Sequence, residues 1–400
     1  MQTRAWLRYG FALLVGAALF VATRSADAYP WMNRHGYTGC ATCHADPSGG
    51  GLLTLYGRAQ SELLLSTRYG EASAEDEPSR FSGALFGIVT LPDQLLVGGW
   101  LRGGYIWNSV DGRLVDHRLL LMRADLGAQV KVDRVRANAT IGVASADSRA
   151  QTQQAALTDN ATGVNLVSRE HWVGVDLADD AVLVRGGRLN LPFGLRNIEH
   201  TSWVRSETRT DFNQSQQHGA AVSYNSSGFR TEGMAVLGNF QVRPDVYRER
   251  GFVGYAELAL NEHDAIGLSA LVTHAGADVA TGKETIRQAY GVFGRFCFWT
   301  PLVILGEVDS LVSSLHGEGT SVGYTGFLQA DYEVLRGVHL ALTGEALRRP
   351  RPGADPGVGG WVTASWFFLP HFDARLDVIR RSGLGAPDTM TYLAQLQGYL

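Results

Sequence analysis

The stretch RVRANATIGV, residues 134–143, alternates with a period of two. Arg134, Arg136, Asn138 and Thr140 fall on one side, and Val135, Ala137, Ala139, Ile141 and Val143 on the other. Successive side chains of an extended strand point to opposite faces of its sheet, so this spacing predicts a strand with one polar and one apolar face. GYTGFLQADYE, residues 323–333, repeats the pattern: Thr325, Gln329, Asp331 and Glu333 oppose Tyr324, Leu328, Ala330 and Tyr332. In DARLDV, residues 373–378, Asp373, Arg375 and Asp377 oppose Ala374, Leu376 and Val378.

Working outward, sixteen such segments follow one another: 95–107, 115–129, 133–146, 166–177, 181–192, 215–226, 228–238, 250–261, 264–274, 285–298, 302–314, 320–333, 337–348, 357–369, 371–381 and 390–400. Longer connections (108–114, 147–165, 193–214, 239–249, 275–284, 315–319, 349–356 and 382–389) alternate with tight ones such as LADD at 177–180 and LPH at 369–371. Long loops at one end and short turns at the other are the pattern of a transmembrane β-barrel. A soluble sandwich or propeller is the alternative, but a propeller would show a repeat of about 40–50 residues, and none is visible. The expected fold is all-β: an antiparallel outer-membrane barrel over 95–400 of about sixteen strands, with tight turns in the periplasm.

Composition agrees. The chain has 48 glycines, 10% aromatic residues and a mean hydropathy of −0.06. A barrel looks only mildly apolar because half of each strand faces a polar lumen. Parity assigns Arg102, Arg123, Asp125, Arg134, Arg136, Arg230, Glu232, Glu257, Arg295, Glu307, Asp331 and Glu345 to that lumen, mostly as paired charges. Arg or Lys at Val135, Ala137 or Leu376 should therefore impair assembly, whereas Asn138 and Thr140 should tolerate charge. The net charge of −4 gives no reason to expect a nucleic-acid partner.

The N-terminus reads as an export signal. Arg4 and Arg8 precede the apolar run GFALLVGAALFVA at 10–22, and Ala26-Asp27-Ala28 follows as a small-residue cleavage site. Residues 1–28 would be removed.

Two of the three cysteines then lie in GYTGCATCHADPSGGG, residues 36–51. Cys40-Ala41-Thr42-Cys43-His44 is the spacing of c-type haem attachment. Two thiols three positions apart can add to the two vinyl groups of one haem, and His44 supplies an axial imidazole to its iron. A structural zinc site would need further ligands, and a redox dithiol would want a βαβ pattern; neither is visible. Met32 and His35 are the nearest candidates for the second axial position, with an open or water-bound site as the alternative. His117, His171, His200 and His218 are more distant ones. Cys297 should point inward near the periplasmic rim as a packed, inert thiol. Residues 29–65 form the haem segment and 66–94 a linker or plug, in which FSGALFGIVT at 81–90 reads as a short strand or a packed connector. TSWVRSET, residues 201–208, lies in the longest outside loop and could fold into the lumen as a constriction.

Together these features resemble the fused monohaem cytochrome–porins of bacterial outer membranes, some of which are iron(II) oxidases. The resemblance covers the whole chain as architecture, and its residue-level match is CATCH at 40–44, followed more weakly by LTLYGR at 53–58. It implies one covalent haem c, contact with outer-membrane lipids, a periplasmic electron carrier such as a cytochrome, and an extracellular electron donor or acceptor. A diffusion porin whose haem segment carries electrons in the periplasm or gates the pore is the other reading.

Overall fold

The computed structural model describes residues 29–37, 39–67, 83, 86–145, 155–156, 164–196, 199, 201–212 and 215–400. The export signal, most of the linker and His200 lie outside the described residues. The strands are β1 (Leu95–Val110), β2 (Arg113–Val132), β3 (Val135–Ser145), β4 (Ala155–Ala156), β5 (Val164–Leu177), β6 (Val182–Leu189), β7 (Gln217–Asn225), β8 (Phe229–Gly238) and β9 (Arg250–Ala259). They continue as β10 (Ala265–Ala275), β11 (Thr285–Trp299), β12 (Leu302–Leu315), β13 (Gly319–Leu335), β14 (Val338–Arg348), β15 (Gly357–Leu369), β16 (Phe372–Gly383) and β17 (Ala386–Tyr399).

Each strand pairs antiparallel with the next, and β3 reaches β5 past the two-residue β4. The sheet closes when β17 returns to β1, with Trp100 opposite Tyr399 and Val110 opposite Thr389. Sixteen strands thus form the barrel, as the alternation predicts.

The loop asymmetry holds at five of the eight long connections. The other three are short: residues 111–112, 316–318 and 384–385. Asp111 and Gly112 have φ of 46° and 76°, and Leu384 and Gly385 have φ of 60° and 66°. Two consecutive left-handed residues make a tight hairpin turn whose twist matches the strands, so pairing runs past the expected ends. Residues 86–88 form a turn in which Phe86 stacks on Phe372 at 5.7 Å, which settles 81–90 as a connector where it is described.

The outer face is apolar. Leu328, Val308, Leu342 and Leu376 are exposed on it. Exposed Phe298, Trp299, Tyr332 and Trp366 ring the tight-turn end, while Tyr105, Trp107, Tyr290, Tyr324 and Tyr392 ring the loop end. Two aromatic girdles around an apolar band fit the two interfaces of a bilayer.

The inner face is buried, and many of its charges are paired. Arg136 meets Asp176 at 2.5 Å, Arg230 meets Glu257 at 2.8 Å, Arg185 meets Glu232 at 2.6 Å, and Arg375 meets Asp377 at 2.8 Å. Arg123–Asp125, Arg295–Glu257 and Arg205–Glu307 are further pairs. Arg134 departs from its expected inward parity, because it sits exposed in the two-residue turn between β2 and β3. Asn138 and Thr140 are inward as expected but only 5% and 2% exposed. A charge substituted at either would enter this packing, which narrows the expected difference from the lipid face. Leu376→Arg, at 61% exposure on the lipid side of β16, should cost about 2–4 kcal/mol. The same change at Val135, the first residue of β3, should cost about 0–1 kcal/mol because it lies at the interface. Unfolding titrations in lipid vesicles, followed by heat-modifiable gel mobility, measure both.

Candidate functional site: the filled lumen around Cys40–His44

Residues 40–44 fold into a single helical turn. The backbone N–H groups of Cys43 and His44 both donate to Cys40 O, at 3.2 and 3.0 Å. Beyond it, Ala45 N donates to Leu52 O and Thr54 N to Cys43 O, both at 2.9 Å, so the chain doubles back over the turn. Thr54 then caps helix α1 (Leu55–Gln60), its Oγ1 accepting from Gly57 N at 3.1 Å. Gly57 lies directly on Cys43: a Cβ there would stand 2.5 Å from Cys43 O. Gly49 plays the same part for Cys40. Its φ of +90° suits glycine, and an added Cβ would sit 3.0 Å from Cys40 Sγ.

This segment packs on inward-facing residues of the wall, at the tight-turn end. Arg34 pairs with Asp331 and, at 3.4 Å, with Glu333. Asn33 and His263 exchange hydrogen bonds of 2.5 and 2.7 Å. Ser61 Oγ lies 3.0 Å from Tyr399 OH and accepts from His371 N at 2.6 Å. Arg336 donates to Ser66 O at 3.1 Å. Trp31, Met32 and Leu65 join Leu195, Val204, Tyr255, Phe293, Leu305, Phe327 and Phe367 in one apolar cluster, with Cys297 packed against it. The inward, partly buried position expected for Cys297 is the one observed.

Arg185 and Asn190 bind the Asp46 carboxylate, each at 2.9 Å. Arg196 reaches Ser48 Oγ at 2.7 Å. Burial alone would raise the Asp46 carboxyl; Arg185, Arg196 and the Asn190 amide outweigh it and hold it below its usual value. Arg230 Nη1 donates to Cys40 Sγ at 2.7 Å. Parity had already put Arg185's partner Glu232 and Arg230 in the lumen, but no local pattern tied Asp46, Asn190 and Arg196 together.

His44 is 6% exposed, and neither ring nitrogen has a hydrogen-bond partner among the described residues. Burial lowers its pKa to about 4, against a smaller upward pull from the Gly50 and Gly51 backbone and Asp46. A buried imidazole without a partner needs an account. Beside two free thiols on one helical turn, the donor set fits a c-type haem. His35 does not share these surroundings. It lines a rim pocket with Leu64, Thr300, Pro301, Glu333, Leu335 and Arg336, and burial lowers it to about 4 as well. Met32 lies in the apolar cluster. Within the wall, His117 bonds to Tyr105 OH at 3.0 Å, and His171 and His218 pack ring to ring at 5.3 Å, with His218 stacked on Phe240.

Residues 190–196 and 201–212 enter the lumen from the other end, as the loop length suggested. Helix α2 (Trp203–Thr208) is held by Glu345, which accepts from Trp203 N at 3.1 Å, Trp361 Nε1 at 2.9 Å and Arg381 Nε at 2.6 Å. Arg381 lies over both Trp203 and Trp361, at 5.0 and 5.3 Å. Leu189, Leu191, Phe193 and Trp203 form a second apolar cluster with inward Leu183, Met234, Val253, Leu271, Leu311 and Leu347. Glu345→Ala would leave Arg381 without its carboxylate and two N–H groups unpaired. It should cost about 3–5 kcal/mol and make residues 201–212 cleavable, which limited proteolysis with mass spectrometry checks.

No family model matches the chain, and no curated protein matches it. Solved structures do. OmpT of Vibrio cholerae, expressed in the outer membrane, is 13% identical with a TM-score of 0.60, covering 78% of this chain and 100% of its own. An anion-selective porin from Comamonas acidovorans is 12% identical with a TM-score of 0.56, covering 76% of this chain and 99% of its own. OprB of Pseudomonas putida, at high pH, is 10% identical with a TM-score of 0.53, covering 77% and 94%. At these identities the likeness concerns the fold: the chain has the barrel of outer-membrane porins.

Proposed function

We propose that this is a bacterial outer-membrane electron-transfer protein carrying one covalent c-type haem on Cys40 and Cys43, with His44 as axial ligand. The observation that carries the reading is His44 itself, a buried neutral imidazole without a partner, on the same helical turn as two free thiols. Bound there, the haem would supply a one-electron couple. Cys40 and Cys43 would hold the group, His44 would ligate its iron, and the paired lumen charges would surround the segment. Met32 and His35 remain the candidates for the opposite axial position; either would have to leave its present packing.

The filled lumen supports electron transfer over diffusion. A bilayer core is about 30 Å thick, and tunnelling falls exponentially with distance, so a haem below the membrane could not serve an outside donor. A segment held inside the barrel shortens that path. Iron(II) is the extracellular donor the resemblance implies, and a periplasmic carrier would complete the circuit. The second reading, a diffusion porin whose haem segment gates the pore or carries electrons, is favoured by the likeness to porins such as the anion-selective one from Comamonas acidovorans.

Mass spectrometry of the peptide holding Cys40–His44 should show one haem adduct. Cys43→Ala should lower covalent attachment, and His44→Ala should alter the haem spectrum; an adduct-free wild-type peptide would end this reading. In planar bilayers the intact protein should conduct ions poorly. Large steady conductance, with a haem unreactive to membrane-impermeant oxidants outside intact cells, would favour the porin instead.

A further inference from the structure

At the tight-turn end, Leu55 and Tyr56 are exposed on α1, 57% and 42%, although that helix packs directly on Cys43 through Gly57. Tyr56 OH lies 2.8 Å from Tyr37 OH, next to the rim occupied by His35 and Leu64. A small apolar patch therefore borders the Cys40–His44 turn on the outside of the filled lumen. The rim has one dominant sign. Asp93, Asp133, Asp179, Asp180 and Glu262 are all exposed there, in or beside the turns that begin β1 and join β2 to β3, β5 to β6 and β9 to β10. Against them stand exposed Arg134 and half-buried Arg336, which donates to Ser66 O at 3.1 Å, while half-buried Lys131 is shared between Asp176 and Asp180, at 3.0 and 2.9 Å. No ion pair engages Asp93, Asp133, Asp179 or Glu262 among the described residues.

We infer that this mouth is the docking surface for a soluble redox protein with a basic face, which meets Leu55 and Tyr56 beside the haem turn and is steered by the acidic arc. The inference rests on the haem reading above. Electron-transfer encounters use small interfaces, below about 1,200 Å² in total, and their rates depend on complementary charge more than their affinities do. A bare apolar patch would attract partners without orientation, and the single-signed rim supplies it. Because α1 lies against Cys43 through Gly57, and Ala41 of the turn is itself exposed, a partner seated on Leu55 and Tyr56 comes close to the Cys40–His44 turn.

The test uses the full-length haem-loaded protein in detergent, reduced beforehand with ascorbate or dithionite. Its haem gives one electron to ferric mitochondrial cytochrome c, a lysine-rich probe, which becomes ferrous. Stopped-flow should show a bimolecular rate that falls as ionic strength rises. The triple variant Asp133→Asn, Asp179→Asn, Glu262→Gln should lose about tenfold of that rate at low salt. Asp133 and Asp179 have φ of 50° and 52°, a conformation asparagine also tolerates, so the turns are retained. Leu55→Ser should lower the rate at both low and high salt. Fully acetylated cytochrome c, lacking the lysine charge, should react at the reduced rate with wild type. Equal rates for native and acetylated probe, or a wild-type rate for the triple variant, would overturn the docking surface while leaving the haem reading intact. A pyridine haemochrome assay without haem would instead overturn the reading beneath it.

Discussion

Within a bilayer there is no water to satisfy an unpaired backbone N–H or C=O, and each one left open costs several kcal/mol. The pairing of β17 with β1 meets that constraint, because it leaves the sheet without an edge. Everything else in the molecule is arranged around the closed wall. The apolar faces of the strands turn outward because closure offers them only lipid. The polar faces turn inward and become the lining against which residues 29–67, 190–196 and 201–212 fold.

That lining is both charged and buried. Arg185, Arg230 and Arg295 are buried, and each is paired. Isolated buried charges would be prohibitive, whereas paired ones impose geometry, since removing one partner strands the other. The inserted segments share in the pairing: Arg34 answers Asp331, Asp46 answers Arg185, and Arg205 answers Glu307. The contents and the wall are therefore one electrostatic structure. The two apolar clusters fill the space between the charged layers, with Trp31 and Met32 in one and Phe193 and Trp203 in the other.

Much of this was legible in the sequence, for a local reason. A strand's faces are written two residues apart, so RVRANATIGV declares its orientation without reference to its neighbours. The Cys40–His44 turn was legible for a similar reason, since the chemistry sits within five consecutive positions. The hairpins at Asp111-Gly112 and Leu384-Gly385 were misjudged because strand length depends on whether the partner continues, which one strand cannot report. The crowding around Thr140 was also hidden. Parity says which way a side chain points, but not whether the lumen holds water or protein. The contacts of Asp46 with Arg185 and Asn190, and of Ser48 with Arg196, join residues about 140 positions or more apart, and no spacing rule spans that distance.

The burial of the two thiols also sets an order of events. In the folded molecule Cys40 and Cys43 are 4% and 1% exposed, pressed by Gly49 and Gly57 and enclosed by the wall. A macrocycle, and any enzyme presenting it, could not reach both sulfurs there. On the proposed haem reading, attachment would have to occur before Arg34 and Ser61 seat the segment against the turns. On that reading maturation would run one way, with modification first and docking afterwards. A barrel that captured its own N-terminal segment too early would then be trapped unmodified, so on the haem reading biogenesis would depend on the relative speeds of two reactions that the final contacts no longer reveal.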